Sequence, residues 1–332
     1  MAAIKTESID VRQIGRARPT GKFEDPDWTA RSEPRASVPF DRLDTLWINT
    51  GTLCNITCRN CYIESSPAND RLAYITAAEV NPFLDEAEAL KAREIGFTGG
   101  EPFLNPELLD MLAGALRRGF KVLILTNAML PMQRPRLKEG LSALRHEFGA
   151  ALAFRVSLDH HTKALHETER GEGTWERVLD GLDWLSANGF ATAIAGRTCW
   201  NESEADARAG YGRLIARHRW AIDADDHAQL VLFPEMDGSH DVPEITTACW
   251  GILEKTPSQM MCATSRMVVK RKGADAPVVL PCTLLPYEPA FEMGATLDEA
   301  LRADGPMFDQ GAVKLCHPNC AKFCVLGGGS CS

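Results

Sequence analysis

Short apolar runs alternate with longer amphipathic stretches through the middle of the chain. The runs are apolar on both faces, as are parallel strands covered by helices, and they predict strands at 45–49, 94–98, 121–126, 151–157, 192–198 and 229–233. The intervening stretches carry apolar residues at helical spacing. This alternation predicts a parallel sheet built from six β/α units.

The predicted helices have recognisable ends. Thr76 and Glu79 form a capping box ahead of an apolar face. A second helix is expected to begin at 105–106 and to close at Gly119, and a third is expected over 174–189. Because parallel β/α crossovers are right-handed, these units are expected to curl into an open barrel. The predicted fold class is therefore α/β, a partial TIM-like barrel with a small cysteine-rich C-terminal domain.

The chain divides into three predicted regions. Residues 1–44 are polar, rich in arginine and interrupted by prolines, which favours a mobile or surface-draped extension over a substrate lid. The barrel is expected over 45–240, and the cysteine-rich domain over 245–332.

Charge and composition exclude several classes of protein. The chain has 332 residues and a net charge of −9, which argues against a nucleic-acid partner because phosphate binding needs clustered Lys and Arg. Residues 1–10 do not resemble a signal peptide, and no apolar run reaches membrane-spanning length. Eleven cysteines without a secretory signal indicate a reducing compartment and metal ligation. The prediction is a soluble cytoplasmic metalloprotein with no membrane partner.

Cys54, Cys58 and Cys61 are the most informative residues of the chain, with three and then two residues between them. This spacing lets one short loop place three thiolates around a 4Fe–4S cluster, which normally takes four. One iron then stays open for a substrate or cosubstrate. A zinc knuckle is the alternative, but zinc needs four ligands in a closed site, and no fourth Cys or His follows closely.

A second motif, Gly99-Gly100-Glu101-Pro102, comes directly after the second predicted strand. Together with the three cysteines it resembles the radical S-adenosylmethionine (SAM) superfamily. The resemblance implies a partial (β/α)6 barrel with its chemistry at the carboxyl ends of the strands. It also implies that a 4Fe–4S cluster cleaves SAM to a 5′-deoxyadenosyl radical, which takes a hydrogen atom from the substrate. An external electron donor such as flavodoxin or ferredoxin is expected.

Asn60 departs from the family pattern, because relatives usually carry an aromatic residue just before the third cysteine. Tyr62, just after that cysteine, is the candidate for packing on the adenine side of SAM.

The SAM contacts implied by the resemblance follow the ends of the strands: Gly99, Gly100, Glu101, Pro102, Thr126, Asn127, Ser157, Asp159 and Arg197. Glycine lets backbone approach closely, and the Gly-Gly-Glu segment is expected to hold the methionine amino group while Pro102 rigidifies the turn. Ser157 is preferred for the ribose or the carboxylate, because a hydroxyl both donates and accepts. Arg197 offers a fork for the carboxylate, with a surface salt bridge as its alternative. Asp159 is expected to face either SAM or the substrate.

No catalytic acid or base is assigned. His160 and His161 adjoin Asp159 and would suit proton transfer, but a solvated loop is the favoured interpretation. Cys199 and Cys249 are interpreted as buried thiols that pack as small hydrophobes.

The C-terminal region holds six further cysteines: Cys262, Cys282, Cys316, Cys320, Cys324 and Cys331. Cys262 and Cys282 flank a predicted hairpin with strands at 267–270 and 278–280. This order of elements resembles the SPASM or twitch extension of radical SAM enzymes, which binds auxiliary iron–sulfur clusters. The expectation is one 4Fe–4S cluster held by Cys262, Cys282 and members of the terminal four, with zinc as the rival metal. Electron transfer and substrate binding remain alternative roles for it.

Three functions follow from these observations. The favoured one is a radical SAM enzyme acting on a small-molecule metabolite, because no separate peptide-binding domain fits in residues 1–44. The second is a maturase that modifies a ribosomal peptide or protein side chain. The third is a non-catalytic zinc protein that binds partners through its cysteine-rich tail.

Overall fold

The computed structural model describes residues 21–233 and 241–327. Its strands are β1 Ser37–Val38, β2 Thr45–Asn49, β3 Glu94–Thr98, β4 Lys121–Thr126, β5 Leu152–Ser157, β6 Ala191–Arg197, β7 Leu230–Phe233, β8 Ser265–Val269, β9 Val278–Leu280, β10 Phe308–Asp309 and β11 Ala312–Lys314. Its α-helices are α1 Ala77–Ala89, α2 Leu108–Arg117, α3 Leu130–Gln133, α4 Pro135–Phe148, α5 Lys163–Arg170, α6 Thr174–Ala187, α7 Glu204–His218, α8 Cys249–Ile252, α9 Met261–Thr264 and α10 Leu297–Leu301. A π-helix spans Cys320–Leu326.

Eight strands form one sheet in the order β7-β6-β5-β4-β3-β2-β8-β9. Every neighbouring pair from β7 to β8 is parallel, and β9 runs antiparallel to β8. The six predicted strands are confirmed, with bounds that differ by at most one residue. The carboxyl ends of the parallel strands therefore meet along one edge, where loops can gather functional side chains.

Two apolar clusters cover the two faces of the sheet. Leu46 and Ile48 of β2 belong to the large core beneath the helices, whereas Trp47 packs on the opposite face with Leu123. A Cβ atom on Gly96 of β3 would lie 2.4 Å from the Trp47 ring, so glycine is required for the indole to fill the inside of the barrel.

The helix ends are mostly where the sequence predicts them. The capping box of Thr76 and Glu79 is confirmed, and α6 runs over Thr174–Ala187. The expected start of a helix at 105–106 is wrong, because α2 begins at Leu108. The Asn105 side chain instead accepts from the Glu107 N–H and donates to two carbonyl groups, so it braces the loop that follows β2.

The two ends of the described chain pack against each other. The predicted hairpin is confirmed as β8 and β9, and β8 pairs with β2, so the barrel sheet continues into the cysteine-rich region. Within residues 21–44, β1 pairs with β11, and Arg35 makes a buried ion pair of 2.6 Å with Glu244. Among the described residues, none of the helices has the length and apolar character needed to cross a membrane.

Candidate functional site

A cavity of about 180 Å³ opens at the carboxyl ends of the parallel strands. Cys54, Cys58 and Cys61 line it from the loop between β2 and α1. Seven of the nine predicted SAM contacts line it as well: Gly99, Gly100, Thr126, Asn127, Ser157, Asp159 and Arg197. Tyr62 lies on the same wall. The structure therefore brings both sequence motifs to one cavity.

The cysteine loop is fixed by hydrogen bonds at both ends. The Cys54 N–H donates to the Ser66 carbonyl at 3.1 Å, and the Ser65 N–H donates to the Cys61 sulfur at 3.4 Å. Burial raises the pKa of Cys54 to about 12. Burial also raises the pKa of Cys58, although the nearby Arg170 guanidinium offsets part of that rise. Without a cation, thiolates at Cys54 and Cys58 are unfavourable because these positions are shielded from water. Three soft sulfur ligands in one loop suit a cationic iron centre.

Gly99 and Gly100 pack directly against the start of this loop. Gly99 has φ +144°, and a Cβ atom there would lie 2.4 Å from the Gly51 carbonyl oxygen. A Cβ atom on Gly100 would lie 2.1 Å from the Leu53 carbonyl oxygen. Glycine is thus required because two stretches of backbone touch, and this contact sets the distance between the two motifs.

Glu101 and Pro102 lie behind the cavity wall and do not line it. The Glu101 carboxylate accepts from the Thr126 hydroxyl at 2.7 Å and from the Asn127 N–H at 2.9 Å. Burial raises the pKa of Glu101 to about 7, although these hydrogen bonds favour the ionised form. In this arrangement Glu101 braces the end of β4, and Pro102 opens a buried 3-10 turn.

Asp159 forms the most buried ion pair of the cavity wall. Arg170, the last residue of α5, donates to both of its carboxylate oxygens at 2.8 and 2.9 Å. Burial opposes ionisation of Asp159, but the guanidinium groups of Arg170 and Arg197 outweigh it and lower the pKa of that carboxyl. Arg170 was not predicted from the sequence; its signal there is a position at a helix end just before Gly171, which has φ +96°.

Arg155 is a second cavity residue that sequence analysis missed. It lies on β5 two residues before Ser157, so both side chains share the inner face of the strand. Polar residues at alternate positions of an otherwise apolar strand are the signal that predicts such a lining.

His160 and His161 are not in a solvated loop, and neither lines this cavity. His160 is 3% exposed, and both rings lie 3.0 Å from the Glu202 carboxylate. The ligand atoms of these three residues lie within 4.8 Å of one another. The Thr162 N–H donates to His160 Nδ1, so the proton is on Nε2, which donates to Glu202. The cluster is therefore satisfied by its own hydrogen bonds.

The C-terminal cysteines come together from three segments. Cys262 and Cys282 are buried on either side of the hairpin, and Cys320 and Cys324 lie on the π-helix. Burial raises the pKa of Cys320, and the thiols of Cys282, Cys262, Cys324 and Cys316 raise it further. Cys331 lies outside the described residues. Leu284 and Phe323 of this region line the cavity, so the cysteine-rich segment forms part of its wall.

Cys316 contacts the N-terminal segment. Its thiol donates to the carbonyl oxygens of Phe23 and Asp25, at 3.3 and 3.5 Å. A thiolate could not make these bonds. The other described C-terminal thiols that are candidates for a metal cluster are Cys262, Cys282, Cys320 and Cys324.

The family model that describes the sequences of the radical SAM superfamily matches residues 48–206 of this chain. The chain therefore carries a radical SAM domain, as the two motifs predict. Members of this superfamily use a 4Fe–4S cluster and SAM, which confirms the predicted cofactors.

Three curated relatives match through this part of the chain. The antilisterial bacteriocin subtilosin biosynthesis protein AlbA of Bacillus subtilis is 27% identical over 143 residues, 43% of this chain and 30% of the relative. The AdoMet-dependent heme synthase of Methanosarcina barkeri is 28% identical over 42% of this chain and 38% of the relative. The mycofactocin maturase MftC of Mycobacterium tuberculosis is 26% identical over 48% of this chain and 39% of the relative. The matches thus span less than half of each relative's length.

Solved structures extend the likeness of fold over most of the chain. Streptococcus suis SuiB bound to S-adenosylmethionine has a TM-score of 0.58 and 13% identity, and the match covers 80% of this chain and 67% of SuiB. Native anSMEcpe with bound AdoMet has a TM-score of 0.54 and 15% identity, with 78% and 80% covered. These likenesses confirm the predicted partial barrel.

Proposed function

We propose that this chain is a radical SAM enzyme that takes a hydrogen atom from a peptide or protein side chain. The observation that carries the proposal is the convergence of Cys54, Cys58 and Cys61 with the Gly99-Gly100 turn on one cavity. When bound, the 4Fe–4S cluster and SAM supply an electron and a carbon-centred radical. The chain's own residues hold these groups, orient them and exclude water.

Arg197 is suited to hold the methionine carboxylate. Its Nη1 is buried without a hydrogen-bond partner among the described residues, and the side chain lies on the cavity wall. A carboxylate can accept from such a group. Ser157 and Asn127 offer further donors and acceptors on the same wall.

The auxiliary site is proposed to hold one 4Fe–4S cluster through Cys262, Cys282, Cys320 and Cys324. A 4Fe–4S cluster normally takes four cysteine thiolates, and these residues supply that number. Four thiolates could also close a tetrahedral zinc site, so iron and sulfide analysis distinguishes the two metals. Full ligation by four thiolates would suit electron transfer better than substrate binding.

The choice of a peptide substrate is supported by the relatives. AlbA is named for bacteriocin subtilosin biosynthesis and MftC is named a mycofactocin maturase, and one solved SuiB structure is bound to precursor peptide SuiA. Phe233 lines the cavity at the end of β7, which is the outermost strand of this sheet among the described residues. An edge strand can pair with an extended peptide.

A small metabolite remains the second candidate substrate. The heme synthase and a GTP 3′,8-cyclase of Pseudomonas fluorescens, 26% identical over 153 residues, are relatives named for small-molecule chemistry. The predicted metabolite substrate therefore stays a prediction.

The test is anaerobic incubation of the reconstituted, reduced protein with SAM, with 5′-deoxyadenosine measured by mass spectrometry. The expected result is a protein that contains iron and sulfide and forms 5′-deoxyadenosine. When a peptide library carrying deuterium on its side chains is added, the deuterium should appear in the 5′-deoxyadenosine. A colourless zinc protein without this product would refute the enzyme. If deuterium is transferred only from deuterated metabolites, the substrate is a small metabolite and not a peptide.

A further inference from the structure

Asn60 lies between two of the cluster cysteines and is held by charged residues from two other elements. Its side-chain Nδ2 donates to Glu169 Oε2 at 3.2 Å, and its carbonyl oxygen accepts from Arg197 Nη2 at 3.0 Å. The neighbouring Arg59 N–H donates to the Glu169 carbonyl at 2.8 Å. The loop from Cys58 to Cys61 is thus attached to the end of α5 and to the end of β6.

Both charged partners are well buried. The side chains of Glu169 and Arg197 are 6% and 11% exposed, and Glu169 Oε2 lies 3.8 Å from Arg197 Nη1. Hydrogen bonds to charged groups with little access to water are stronger than those between neutral groups. These contacts therefore hold the loop firmly.

Arg197 also belongs to the cavity wall. Its backbone N–H donates to the Asp159 carbonyl at 2.9 Å, and its Nε lies 3.6 Å from the Asp159 carboxylate. One guanidinium thus contacts the cysteine loop, the buried acidic residue of the wall and the cavity itself.

We propose that Asn60, Glu169 and Arg197 form a polar clamp that sets the position of the Cys58–Cys61 loop relative to the SAM-binding wall. Asn60 is a positioning residue in this clamp, because its amide bonds to Glu169 while its backbone bonds to Arg197. A phenylalanine at position 60 could not donate to Glu169. The link to SAM rests on the proposed function, whereas the fixing of the loop does not.

The charge arrangement permits an exchange experiment in the full-length reconstituted protein. Asn60→Asp places a carboxylate against that of Glu169, so repulsion should open the clamp. Glu169→Gln in the same chain supplies an amide that can donate to the new carboxylate. The double variant then has a single negative charge beside Arg197, as wild type does. The comparison set is wild type, N60D, E169Q and N60D/E169Q. Asn188→Ala, an exposed asparagine that bonds to the Trp184 carbonyl, is the matched control.

The first readout is amide hydrogen exchange of the segment 55–62, which requires no catalysis. N60D should exchange faster there than wild type, and N60D/E169Q should return toward wild-type protection. The second readout is the SAM concentration needed to change the electron paramagnetic resonance (EPR) spectrum of the reduced cluster. N60D should need about tenfold more SAM, a loss typical of residues that orient metal ligands.

Unchanged exchange and SAM binding in N60D would overturn the clamp, as would a double variant no better than N60D alone. If wild type itself neither binds SAM nor forms 5′-deoxyadenosine, the proposed function fails. Amide hydrogen exchange still tests the clamp in that case, because it does not depend on SAM. Equal thermal unfolding of N60D and wild type separates loss of the clamp from loss of the fold.

Discussion

The two groups of cysteines differ in how the chain delivers them and in what surrounds them. Cys54, Cys58 and Cys61 come from one loop on an open cavity lined by Asp159 and three arginines. The described C-terminal thiols come from separate segments; Cys262, Cys282, Cys316 and Cys320 are buried within the apolar core, and the half-buried Cys324 packs against it. Burial raises the pKa of Cys262 to about 12, and no described carboxylate contributes to that rise. The first group suits ligand exchange at an accessible iron, and the second suits a closed centre.

This difference predicts opposite consequences for cysteine replacement. Cys58→Ala should abolish 5′-deoxyadenosine formation, because the open-iron cluster loses one of its three ligands. Cys282→Ala should keep SAM cleavage and block formation of the modified substrate. Anaerobic assays of both products check this prediction. Loss of SAM cleavage in a well-folded Cys282→Ala protein would remove the functional distinction between the two groups.

A smaller but still large effect is expected where the N-terminal segment joins the C-terminal region. Arg35→Ala leaves the Glu244 carboxylate without its guanidinium partner and with only the backbone N–H groups of Phe23 and Ala30, which should lower the free energy of unfolding by about 3 kcal/mol. Chemical denaturation measures that loss. Arg42→Ala removes an exposed arginine nearby and is the control. An equal loss in both variants would show that the buried pair is not responsible.

Within the C-terminal group, two neighbouring cysteines should behave differently. Cys320→Ser should lower the iron content of the auxiliary site, whereas Cys316→Ser should leave it near the wild-type value, because the Cys316 thiol bonds to carbonyl oxygens of the N-terminal segment. Metal analysis in a Cys54→Ala background isolates this site. If Cys316→Ser loses iron and Cys320→Ser does not, Cys316 is a ligand of the auxiliary site and Cys320 is not.

The smallest expected effect is the pH dependence of stability due to Glu101. Its folded-state pKa of about 7 lies above the ordinary glutamate value, so its contribution to stability is full below about pH 4.5 and is lost as pH rises through about 7. The change amounts to about 3 kcal/mol at most. Glu101→Gln should flatten the unfolding free energy between pH 5 and pH 8. An unaltered slope would mean that Glu101 is already ionised in the folded protein.

The sequence predicted the strands well for a physical reason. Runs such as 94–98 and 121–126 are apolar on both faces and end at polar or glycine residues, so their bounds are marked locally. The start of α2 was missed because Asn105 bonds to backbone distant in sequence. Such long-range contacts leave no local pattern.

The candidate site was predictable only in part. The motif residues were expected to meet because parallel strands share a carboxyl edge, and seven of the predicted contacts line the cavity. The roles of Arg170 and Glu169 depend on the direction of side chains at the end of α5, which spacing does not reveal. Cys316 and Cys320 are equally good candidate ligands in the sequence, and only their different neighbours in the structure distinguish them.

The central claim is that the early cysteine loop leaves one iron open for SAM. Electron–nuclear double resonance on reduced Cys262→Ala/Cys282→Ala protein tests it most directly, with SAM carrying nitrogen-15 at the methionine amino group. Coupling of that nitrogen to the remaining cluster is the expected result. A cluster with no such coupling and a spectrum unchanged by SAM would contradict the account.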